Sequence, residues 1–133
     1  MRVLLNASRS SMRRIAATLT VVALLFSAGS AWADFDDGLA AYESGDYATA
    51  LKELRPLAEQ GDAKAQFGLG FMYAEGQGVP EDYVKAHMWF SIAKAEGHEG
   101  AAKSLDLVKK QMKTDQISEA QKLAAEWLEK HNN

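Results

Sequence analysis

The sequence predicts an all-α protein, an α/α solenoid of about three helix hairpins, and three observations carry that expectation. The chain repeats on itself: Asp46–Ala65 and Asp82–Ala101 align at an offset of 36 residues, pairing Asp46-Tyr47 with Asp82-Tyr83, Ala50 with Ala86, Gly61 with Gly97 and Ala65 with Ala101. Upstream the offset falls to 31, pairing Tyr42 with Tyr73 and Gly45 with Gly76, the difference being the five-residue loop 77–81. A period in the thirties marks stacked units, each too small to bury its apolar side alone. Apolar residues also recur at helical spacing, and no window sustains the period-two alternation of a strand.

Residues 1–33 read as a cleaved secretory signal peptide. Arg2, Arg9, Arg13 and Arg14, with no acidic residue among them, lead into an apolar run from Ile15 to Phe26, and the segment closes on Ala31-Trp32-Ala33. A run of about a dozen residues is shorter than the roughly 20 that a membrane span needs; an uncleaved amphipathic anchor is the competing reading. Cleavage after Ala33 would leave 34–133 as one domain in the periplasm or outside the cell, with repeats at about 38–62, 63–98 and, in part, 99–131. Of the 15 basic residues the four arginines would go, leaving 11 against 18 acidic ones, a formal −7. That balance argues against nucleic acid and anionic membrane surfaces as partners. Without Cys, an exported chain of this size must hold together by packing alone.

Helices are expected at about 36–44 and 47–60, 63–75 and 82–96, 99–112 and 115–131. In the second helix Ala50, Leu51, Leu54, Leu57 and Ala58 fall on one stripe. Pro56 removes a backbone hydrogen bond there, so the helix should bend near Lys52 or break in two. Ala65, Leu69, Met72 and Tyr73 give the third stripe, Ala86, Trp89, Phe90 and Ala93 the fourth, and Ala101, Leu105, Val108 and Met112 the fifth. The last runs through Ala120, Leu123, Ala124, Trp127 and Leu128, with Glu119, Lys122, Glu126 and Glu129 on its watery side. Asp46 and Asp62 stand where N-caps belong, and His98 occupies the position matching Asp62. Gly45, Gly61, Gly76 and Gly97 close the helices before them.

The stretch Ala65-Gln66-Phe67-Gly68-Leu69-Gly70-Phe71-Met72-Tyr73, then Gly76-x-Gly78-Val79-Pro80-x-Asp82, Lys85-Ala86-x-x-Trp89-Phe90-x-x-Ala93, Gly97 and Ala101, closely resembles one Sel-1-like repeat, a relative of the tetratricopeptide repeat. Tyr42 to Ala65 resembles a shorter repeat, the stretch from Ala101 the opening of a third, and Gln116 to Leu128 the end helix of bacterial members. The resemblance implies a right-handed superhelix of α-hairpins without an intrinsic active site, acting as an adaptor or regulator in protein assemblies. Gly68 stands where the family often has Asn.

Residues with possible chemistry have plainer explanations. Ser91-Ile92-Ala93-Lys94 matches S-x-x-K, yet the S-D-N and K-T-G elements that complete such a hydrolase are missing from the sequence. A serine hydrolase or cell-wall ligand binder using Ser91 and Lys94 is therefore the second choice, and no enzyme is the first. His87, His98 and His131 lack the spacing and Cys partners of a zinc motif, so neither metal nor cofactor is expected. Gly68-x-Gly70 suits close helix packing, and Gly76-x-Gly78 a turn. Trp89, Phe90 and Tyr83 suit the core. Lys109, Lys110 and Lys113 suit a helix end, where cations meet the negative pole of the dipole. Phe67 and Phe71 lie one turn apart, away from Leu69 and Met72; Phe67 is expected to pack. Phe71, with Lys64 one further turn back on the same side, is the candidate protein-binding pair. The expected partner is a protein, unidentified, with no nucleic acid and no stable membrane insertion; self-association is a further possibility.

Overall fold

The computed structural model describes residues 34–133, so the signal-peptide expectation lies outside the described residues. Among those residues the chain forms six α-helices and no strand: α1 (Phe35–Glu43), α2 (Tyr47–Glu59), α3 (Ala63–Glu75), α4 (Tyr83–Ala95), α5 (Ala101–Lys109) and α6 (Thr114–Asn132).

Local chemistry sets most of the boundaries. Each of the first four helices opens on an aspartate whose carboxylate accepts a backbone N–H of the first turn: Asp34 from Asp36 at 3.0 Å, Asp46 from Thr49 at 3.1 Å, Asp62 from Ala65 at 2.9 Å and Asp82 from Lys85 at 3.0 Å. Hydrogen bonds from the Thr49 side chain and backbone hold the Asp46 carboxyl below its ordinary range. His98 does not take the equivalent role. α5 starts later, at Ala101 after a Gly100 without a side-chain cap, and the His98 ring lies flat on Phe67 at 4.0 Å. Stacked there, the ring makes no cap hydrogen bond to α5, and its Nδ1 is buried without a hydrogen-bond partner. α5 also ends before the expected residue 112, because the N–H groups of Gln111 and Met112 bond back three residues, to Val108 and Lys109, in a tight turn. α2 runs unbroken through Pro56, which excludes two separate short helices; Leu54 and Ala58, on either side of the proline, are both buried.

α4 is the hub of the molecule, since α3, α5 and α6 all pack against it. Ala86, His87, Trp89, Phe90, Ile92 and Ala93 are buried along it, more than one stripe, as befits an interior helix. On one side Trp89 and Ile92 join Leu54, Leu69, Met72 and Ala124 in a core cluster. On the other, Ala86 and Phe90 join Leu105 and Val108. Gly70 lets α3 approach this closely, for a Cβ there would collide with the Phe90 ring. The third hairpin is more open than a simple pair, because α5 and α6 lean on α4 rather than on each other. Trp127 of α6 meets Trp89 edge-on, with ring centres 5.9 Å apart.

Candidate functional site

The first helix of each hairpin contributes to one face. α1 and α3 enclose a hollow of about 200 Å³, walled by Phe35, Leu39 and Tyr42 on one side and by Lys64, Phe67, Gly68 and Phe71 on the other, with Leu54 of α2 as its floor. Gly68 leaves that floor open, because a Cβ there would stand 3.3 Å from a Leu54 methyl group. α3 and α5 enclose a second hollow of about 210 Å³ between Phe71, Ala74 and Glu75 and Ser104, Leu107, Val108 and Gln111, floored by Tyr83 and Phe90 of α4.

Phe71 belongs to both hollows and forms the ridge between them. Its ring meets Phe67 edge-on at 4.9 Å and Phe90 at 5.3 Å, so one part of it packs while the rest lines the surface. Leu39 and Leu107 flank it and are 40% and 55% exposed, the large apolar side chains that face water most among the described residues. Leu39, Phe71 and Leu107 thus form a row, one from each first helix.

The charges of this face are few. Lys64 Nζ stands 5.9 Å from the centre of the Phe35 ring. Glu75 accepts a hydrogen bond from the Gln77 amide at 3.2 Å. Burial, then Glu75 and Tyr47, push the Tyr42 phenol above its ordinary 10.0, against a hydrogen bond with Gln77.

The structure places both candidate contact residues, Lys64 and Phe71, on the wall of the α1–α3 hollow. Phe67 packs against Phe71, Phe90 and His98 and also lines that hollow. Sequence reasoning missed Leu39 and Leu107. Leu107 had a readable signal: it lies off the Ala101–Leu105–Val108 stripe and sits 36 positions after Phe71, the offset of the repeat.

The other candidates are scattered. Ser91 Oγ contacts His87 Nδ1 at 3.2 Å rather than Lys94, which is exposed on the next turn. His87 is 1% exposed and its Nε2 has no hydrogen-bond partner, so no third group orients the imidazole. Burial lowers its pKa below 6.5, with a further push from Lys109. His131 stacks on Trp127 at 3.8 Å at the end of α6. No group of three or more His, Asp or Glu is arranged to hold a metal among the described residues. Lys109 closes the last turn of α5, Lys110 is its C-cap, and Lys113 precedes α6, its backbone N–H donating to Gln116 Oε1 at 2.9 Å.

Comparison with known proteins agrees with this architecture. Residues 63–98 match the family model described as the Sel1 repeat. Among solved structures, the chain is similar to a protective antigen present in uropathogenic Escherichia coli strains and displaying an SLR fold, with 30% identity and a TM-score of 0.69. That match covers 73% of this chain and 22% of the other, so the chain spans about a fifth of that protein's length. Fold and repeat together define the class: a solenoid of helical hairpins that contains one stretch, residues 63–98, matching the Sel1 repeat. Such repeats generally mediate protein–protein interaction. Among the described residues no helix is long and apolar enough to cross a membrane.

Proposed function

We propose that this chain is an interaction scaffold of the periplasm or the extracellular space, binding a partner protein through the face built by α1, α3 and α5. The observation that carries the reading is the row Leu39, Phe71 and Leu107, set over two apolar hollows. Apolar patches rimmed by polar residues mark interaction sites, and a few anchors seated in pockets supply most of the energy of an interface. The basic start, short apolar run and A-x-A close of residues 1–33 support the location.

The test is site-specific crosslinking in cells that express the full chain. A photoreactive residue at position 107 should give a discrete protein adduct that disappears with Phe71→Ala. The same residue at position 122, exposed on the far part of α6, should give none. Equal labelling at both positions would count against this face. Fractionation of the same cells addresses location, where an unprocessed chain in the cytoplasm would oppose the export reading.

A further inference from the structure

The two outer helices of the groove carry opposite charge at matching places. At the repeat offsets of 31 and then 36, Asp36 of α1 aligns with Phe67 of α3 and Lys103 of α5, while Glu43 aligns with Ala74 and Lys110. The same two positions are thus acidic in the first repeat, apolar in the second and basic in the third. In α3 they line the hollows, Phe67 the one toward α1 and Ala74 the one toward α5, which sets this side of the repeat on the groove face. Seven residues make about two turns of helix, so the two members of each pair share a side, about 10.5 Å apart. Leu39 and Leu107 stand between those members, within helical reach of both.

Asp36, Glu43, Lys103 and Lys110 are all exposed, and none belongs to an ion pair among the described residues. Their surroundings have the same sense. α1 with its cap Asp34 holds four acids and no base, whereas residues 101–113 hold four lysines and the single Asp106. Lys64 and Glu75, the charges of α3, are engaged locally by the Phe35 ring and the Gln77 amide.

We infer that the protein seated on this face is a second copy of the chain, related to the first by a two-fold axis running along α3. The inference rests on the scaffold reading above and names its partner. Equivalent helices of a solenoid run in the same direction. That axis therefore sets α1 of one copy over α5 of the other, with equivalent positions at equal height. Asp36 then meets Lys103 of the second copy, and Glu43 meets its Lys110; symmetry repeats both contacts. Leu107 of each copy comes to the hollow beside Leu39 of the other. The other two-fold arrangement of the same faces, with the axis across the helices, sets α1 on α1 and α5 on α5. Acid then faces acid and base faces base, which discriminates against it.

Light scattering and sedimentation at low ionic strength test this on protein purified from cells expressing the full chain. The native chain should be a dimer that added salt weakens. Asp36→Lys with Glu43→Lys makes both outer helices basic on this face, and Lys103→Glu with Lys110→Glu makes both acidic. Each double variant alone should weaken the dimer by about 30-fold or more, since every attractive pair becomes a repulsive one. An equimolar mixture of the two should dimerise again, because each acidic helix then meets a basic one. Mixing cannot repair a damaged fold, so that recovery reports pairing across the interface. A monomeric native chain, double variants that dimerise as tightly as the native chain, or a mixture that stays monomeric would overturn the inference. Crosslinking at position 107 separates it from the scaffold reading. An adduct of twice the chain's mass supports both, an adduct with a different protein keeps the scaffold and overturns the second copy, and no adduct overturns both.

Discussion

Trp89 and Phe71 are aromatic residues of one repeat with opposite duties. Trp89 is 7% exposed and locks α4 to α6 through Trp127, so Trp89→Ala should cost about 3–5 kcal/mol in urea unfolding, as for other buried aromatics. Its role was legible because it falls on an apolar stripe. Phe71 falls off the stripe, which says that it is unusual but not whether a neighbour covers it; that depends on how far α1 and α5 stand from α3. His87 was less legible still. It is polar and beside the stripe, and only the convergence of three helices on α4 makes its position interior. That burial gives a pH dependence with a definite sign. The unfolded chain takes up a proton near the ordinary 6.5, whereas the folded chain resists it because burial and Lys109 lower the pKa of His87. The contribution of neutral His87 is therefore complete above that pH and is lost as pH falls through 6.5 toward the lower folded value. The urea midpoint should drop between pH 7.5 and 5.5, and His87→Leu should flatten part of that drop. An identical pH profile in the variant would assign the effect to other groups.

At the scale of the helices, what could be read from the sequence was what is local. The cap at Asp62 needs only a carboxylate and the N–H three residues on, so its sequence position is enough to announce it. The His98 stack needs Phe67, 31 residues away in the chain, and no local pattern carries that information. The end of α5 was missed for a related reason: apolar periodicity continues to Met112, but the backbone tightens after Lys109 to turn into α6. Gly70 belongs to this scale too, because it sets the distance between two helices rather than the shape of one. Gly70→Ala should destabilise by about 1–3 kcal/mol, since the new methyl group must displace the Phe90 ring. Gly68→Ala should cost less, as its Cβ would meet only the flexible end of Leu54. Thermal melts of the two variants side by side would separate the tight contact from the loose one, and equal Tm values would refute the assignment.

For the molecule as a whole, the hairpins are unequal, and the sequence period conceals it. Repeats at a fixed offset suggest identical neighbours, yet α4 receives three helices while α1 packs chiefly on α2. Removing α6 by ending the chain at Lys113 should uncover Trp89 and Ile92 and yield a species larger than the native one in light scattering. A fully helical truncation no larger than the native protein would show that α6 is dispensable. The central position of α4 also sets an order of motion. An interior helix can release its amide hydrogens to solvent only when its neighbours have left, whereas α1, at one end of the stack, can open by itself. In deuterated buffer the amides of α4 should be the last to exchange and those of α1 among the first. The wall that carries Leu39 would then be the part of the groove that yields, while the Phe71 ridge stays in place as a fixed edge for whatever lies against it.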